Sequence, residues 1–178
     1  MNADTKKGLL IGLGIPLLLS FGLIFVFALP NIMAWMGPDP PMPEITYGEF
    51  PFRIEYEVYG EVMVVEDTII CEFDRVELAG DHKIRRWKSY LASNGERYIM
   101  LYAIDATKKI CCSSIGASYF MGDGGSYSNE YPPGSFLKEL RGNTWDTTAK
   151  VSTKELLEQY GIRFISWEYS EPIVNTFK

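Results

Sequence analysis

Few side chains in this sequence are spaced for chemistry, and the candidates are carboxylates, thiols and aromatic rings. The single histidine, His82, lies in Gly80-Asp81-His82-Lys83 with no nucleophile motif beside it, whereas a hydrolytic triad needs nucleophile, base and orienting acid together. The spacing of Cys and His matches no zinc-ligand pattern. Gly122-Asp123-Gly124-Gly125-Ser126 lacks the Lys-Ser/Thr ending of a phosphate-binding loop. No catalytic residue, metal ligand or cofactor is assigned on these grounds, and a non-enzyme is favoured. The alternative is a hydrolase acting at the cell envelope, with the loop carboxylates Asp123 and Glu130 as acid and base.

The thiols are Cys71, Cys111 and Cys112. Neighbouring residues of a strand point to opposite faces, so an oxidising compartment would join Cys71 to Cys111 or Cys112 rather than join the adjacent pair. Small buried thiols are the equal alternative. The stretch from Gly116 to Gly134 is rich in glycine and carries Tyr119, Phe120, Tyr127 and Tyr131. Rings on such a loop can stack on sugars or anchor a protein partner, and they can equally close the end of a sheet. Lys83, Arg85, Arg86 and Lys88 surround Trp87 as the chief basic cluster, but strand alternation splits them between two faces, as edge protection by charge would.

The elements that must position these residues begin with Leu9 to Leu29, a run of 21 residues without a charge. As a helix it spans about 30 Å, the hydrocarbon thickness of a bilayer. Lys6 and Lys7 precede it and no Lys or Arg follows before Arg53, which places the N-terminus in the cytoplasm and the rest outside, at the cell membrane. The rival reading is a signal peptide cleaved near Val26-Phe27-Ala28, leaving a secreted domain. Gly8, Gly12, Pro16 and Ser20 recur every four residues, a stripe that would permit a weak homodimer through this helix. The expected organisation is a cytoplasmic segment 1–8, a transmembrane helix 9–29, a Pro-rich juxtamembrane spacer 30–44 in extended polyproline conformation, and an extracytoplasmic domain 45–178. Trp35 falls where an indole would sit at headgroup level.

Within the domain, Phe52, Ile54, Tyr56 and Val58 alternate with Arg53, Glu55 and Glu57 as a half-buried strand requires, and a turn at Tyr59-Gly60 should lead to a second strand over 62–76. Two further strands, 84–91 and 97–104, are expected to form a tight hairpin through Asn94-Gly95, with the second central and covered on both faces. A shorter strand follows at 109–115. Phe136 to Arg141 is read as a helical turn. Ser152 to Glu155 has capping-box spacing and opens a helix that stops at Gly161, and 162–169 is the last strand. The fold class is α+β: an N-terminal transmembrane helix, then a mainly antiparallel sheet of five or six strands with one or two short helices.

The formal net charge is −6, and with Asp4, Lys6 and Lys7 set aside the remainder carries −7, which argues against nucleic acid as a partner. The expected function is therefore a single-pass anchored binding or scaffolding module. Its partners would be the bilayer through 9–29 and another envelope protein or a surface polymer.

Overall fold

The computed structural model describes residues 34–124 and 132–178. The expected transmembrane helix 9–29, Tyr127, Glu130 and Tyr131 lie outside the described residues. Among the described residues no helix is long and apolar enough to cross a membrane. These residues fall into two compact units: 34–40 with Arg75–Arg85, and Pro41–Asp74 with Arg86–Lys178.

The strands are β1 (Tyr47–Val58), β2 (Glu61–Ala79), β3 (His82–Leu91), β4 (Tyr98–Asp105), β5 (Lys108–Ser113), β6 (Ser135–Arg141), β7 (Thr144–Val151) and β8 (Ile162–Tyr169), with short helices α1 (Ala117–Phe120) and α2 (Thr153–Tyr160). Two four-stranded sheets result, ordered β3-β2-β1-β8 and β4-β5-β6-β7. The fold is mostly antiparallel sheet with few short helices.

In the larger unit the β1–β2 hairpin forms as its alternation requires. Val58 faces Glu61, and the two turn residues Tyr59 and Gly60 both have positive φ, the mirror-image turn whose twist suits a two-residue hairpin. Phe50, Phe52, Ile54, Tyr56 and Val58 share the inward face of β1 and meet Ile99 and Leu101 of β4 and Ile110 and Cys112 of β5 in one buried cluster. The Tyr56 hydroxyl donates to the Leu101 carbonyl at 2.7 Å, so the one polar atom of that row is satisfied. Helix α2 carries the capping box: the Ser152 Oγ accepts from the Glu155 amide, the Glu155 carboxylate accepts from the Ser152 amide, and the helix ends at Gly161.

Four expectations are corrected. The strands flanking Asn94-Gly95 belong to different sheets, so this turn is a crossing and not a hairpin. It closes on itself, with the Leu91 amide bonded to the Glu96 carbonyl and the Glu96 amide to Asn94 Oδ1. Strand β4 is an edge strand with one face in the core. Its outer side exposes Met100 and Ile104, and its register against β5 shifts twice, a device that blunts an edge. Residues 136–141 are strand β6 and pair with β7, so the described residues form eight strands rather than five or six. The Pro-rich stretch, expected in an unpaired extended polyproline conformation, enters a ladder at its C-terminal end. The Met42 and Lys178 backbones exchange both hydrogen bonds, Pro43 bridges Phe177, and the Glu44 amide donates to the Thr176 carbonyl.

Candidate functional site

The start of the glycine-rich loop is built as a plug. Phe120 is fully buried and stacks on Phe50 with centroids 4.5 Å apart, and Met121 beside it is equally buried. Tyr119 is half-buried, its ring 5.5 Å from that of Phe120. The turn that follows holds Gly122 at φ +64°, where an added Cβ would lie 2.6 Å from the Ile173 carbonyl oxygen, so only glycine fits. The C-terminal segment approaches so closely because Asn175 forks between two segments: its Nδ2 donates to the carbonyls of Ile45 and Met121, and its Oδ1 accepts from the Ile45 amide. Of the four aromatic residues expected to bind, Phe120 thus belongs to the core, Tyr119 packs against it, and Tyr127 and Tyr131 lie outside the described residues.

Asp123 is likewise engaged: its Oδ2 accepts from Trp87 Nε1 at 2.7 Å. This bond fixes the start of the loop against β3. The basic residues around Trp87 are dispersed rather than gathered. Lys83 donates to the Gly37 carbonyl and to Asp39, and Lys88 pairs with Asp74 at 2.6 Å. The exposed His82 ring lies 2.8 Å from Asp81, whose carboxyl is held below its ordinary range by that contact.

All three cysteines are buried free thiols. Cys71 and Cys112 belong to the core cluster from opposite sheets, while Cys111, next to Cys112 on β5, lies outside it. Burial pushes the Cys71 thiol up to about 12, and pushes Cys112 up as well. Cys111 rises to about 11, burial outweighing the opposite pull of Lys109 and Lys138. A nucleophilic cysteine needs a depressed pKa, so these thiols are placed as packing groups. On the same face, Lys138 and Lys109 stand over the Tyr98 ring at 3.9 and 4.9 Å, and Lys109 also lies 4.0 Å from the Trp145 centroid. Among the described residues no group of His, Cys, Asp and Glu is arranged to hold a metal ion.

Two clefts open on the larger unit. One, of about 610 Å³, runs across β2, β1 and β8 and is lined by Arg53, Glu66, Asp67 and Glu168 among others. Arg53 stands in register between Glu66 and Glu168 and is committed to ion pairs with Glu66 and Glu55, both at 2.9 Å. The other, of about 370 Å³, is lined by Val58, Tyr59, Glu61, Met63, Leu101 and Tyr102. It has a simple origin. Met63 pairs with Tyr56 and so points to the inward face, yet β4 covers that face only up to Leu101 and Tyr102, leaving core-type surface open. Val62 and Val64 are uncovered on the other face. Three consecutive apolar residues, Val62 to Val64, are thus 43 to 58 % exposed beside the still more exposed Tyr59. Sequence reading missed this site, since Val-Met-Val-Val in a strand reads as buried.

Set against known protein families, curated proteins and solved structures, the chain shows no match.

Proposed function

We propose that this chain is a membrane-anchored binding module whose β1–β2 arm docks a partner protein. The observation that carries this is the exposed apolar surface of Tyr59 and Met63, which opens into the cleft above Leu101 and Tyr102, with Val62 and Val64 uncovered on the opposite face of the same arm. An exposed apolar patch on an otherwise charged domain marks an interaction site, and a run of three exposed apolar residues costs solubility unless it is used. Glu61 lines the cleft, whereas Glu55 and Glu66 share Arg53 and Glu57 pairs with Arg163, so the complementary segment is an apolar side chain beside one lysine or arginine. Anchoring rests on the uncharged run 9–29 and on Lys6 and Lys7 before it.

The test is site-specific photocrosslinking in cells expressing the full chain, with the reactive group at position 63 and, as control, at the exposed Asp146 of β7. A discrete adduct from position 63, weakened at least tenfold by Tyr59→Asn, which removes a cleft-lining ring at a position whose positive φ asparagine tolerates, is the expected result. Equal, diffuse products from both positions would refute docking at the arm.

A further inference from the structure

We infer that the smaller unit, residues 34–40 with Arg75–Arg85, is a lipid contact that seats the β2–β3 turn on the membrane surface. This rests on the membrane-anchored reading and adds to it a second contact, made by a part of the chain more than forty residues beyond the anchor.

Three observations converge. Chain length comes first: five residue steps separate Leu29 from Ala34, which limits their separation to about 18 Å even when fully extended. With 9–29 across the bilayer, residues 34–40 are confined to the neighbourhood of a headgroup layer about 6 Å thick. Second, apolar surface from two distant segments meets in this unit and is left open. Trp35 is 70 % and Met36 74 % exposed, Leu78 is 38 % exposed, and Trp35 and Leu78 line the same cleft of about 290 Å³ with Val76. An indole with an apolar neighbour and a wet edge suits the membrane interface. Third, the formal charges of the unit balance. Asp39, Glu77 and Asp81 balance Arg75, Lys83 and Arg85, and the pairs Lys83–Asp39, Arg75–Glu77 and His82–Asp81 close within it at 2.7, 2.9 and 2.8 Å. The unit is neutral, while the larger unit carries the −7, so of the two only this one can approach an anionic leaflet without repulsion.

Lys83 is the coupling. Its ammonium, mostly shielded from solvent, donates to the Gly37 carbonyl at 2.8 Å and to Asp39 at 2.7 Å. It thereby ties the β2–β3 turn to the segment that the anchor holds at the surface.

The test uses the full chain in vesicles of phosphatidylcholine and phosphatidylglycerol, with an environment-sensitive dye on a cysteine introduced at Met36, Asp81 or Asp146. Native thiols are buried and remain unlabelled in the folded protein. Co-flotation with the vesicles reports the anchor, and quenching by nitroxide-labelled lipid reports surface contact. The expected result is flotation with quenching at 36 and 81 at least threefold above that at 146. Lys83→Met should halve the signal at 81 and spare that at 36. Flotation with position 81 no more quenched than 146 overturns the inference and leaves the anchored reading standing. Dye shifts at 81 that grow with protein-to-lipid ratio without lipid quenching assign the surface to a second copy and overturn it too. Failure to float removes the anchored reading, and this inference with it.

Discussion

Replacing Phe120 by alanine separates a core plug from a ligand-binding loop. The ring is fully buried, stacked on Phe50 at 4.5 Å with an interplanar angle of 21°, and lies within 6.4 Å of the Tyr169 ring. Truncating a fully buried phenylalanine removes its transfer free energy and leaves a cavity, about 3–5 kcal/mol in all. The stacked contact with Phe50 supplies about 0.5–1.5 kcal/mol of that. For a domain of this size, each kcal/mol moves Tm by about 4 °C, so Phe120→Ala should melt about 12–20 °C below the parent. Tyr119→Ala, truncating a half-buried ring, should cost less than half as much. Thermal unfolding followed by near-ultraviolet circular dichroism measures both, and Phe120→Leu, which keeps most of the volume, guards against a variant that does not fold. A Phe120→Ala melt within 3 °C of the parent, or a Tyr119→Ala cost exceeding it, would show that the ring is not core and that the loop is free to serve a ligand.

Two further outcomes follow from buried polar and ionisable groups. Trp87 and Trp167 make opposite uses of their indole N–H: the first donates to Asp123 at 2.7 Å, the second is buried with no hydrogen-bond partner among the described residues. Trp87→Phe should therefore destabilise by about 1.5–3 kcal/mol more than Trp167→Phe in urea unfolding, since only the first loses a bond to a charged acceptor; equal costs would refute the assignment of Asp123 as a structural acceptor. The three thiols bind their protons more tightly folded than unfolded, with Cys111 raised to about 11 and Cys71 to about 12 from 9.0. Their contribution to stability is whole below pH 9 and is lost as pH rises from there through the folded-state values, because the unfolded chain releases its thiol protons first. Folded protein at pH 8 should accordingly react with a thiol reagent at least a hundredfold more slowly than protein in denaturant, and rapid labelling of the native state would overturn the buried placement.

Local patterns carried the β1–β2 hairpin and helix α2, because each is decided within a few residues: strict alternation closed by a two-residue turn in one case, a capping box and a terminal glycine in the other. Asn94-Gly95 shows the limit. The dipeptide specifies a turn, and a turn forms, but nothing local says whether the strand after it rejoins its neighbour; Ile99 and Leu101 are instead drawn to the facing sheet, where they meet β1. Residues 136–141 are short and carry apolar side chains at spacings that suit either period, so only pairing with β5 and β7 decides them. The bridge between Pro43 and Phe177 joins residues 134 positions apart, and Asn175 closes the same gap with two hydrogen bonds to Ile45. Contacts of that separation leave no periodic trace.

The candidate site was hidden for a different reason. Val62, Met63 and Val64 have the composition of a buried strand, and the same rule that correctly buries Ile69 and Cys71 further along β2 would bury them too. They stay exposed because the arm outruns its cover, with Leu101 and Tyr102 of β4 the last side chains to meet it. The difference lies between the lengths of two strands in two sheets, a quantity that exists only after the sheets have docked. A chain under selection for solubility alone would place charge at those positions, as it does at Arg86 and Lys88 on the edge strand β3. The arm keeps three consecutive apolar residues exposed next to a cleft that continues the core, whereas the edge strands β4 and β8 expose such residues only singly. Such departures concentrate at functional sites, and here the departure supplies an apolar surface beside a cleft that Glu61 helps to line.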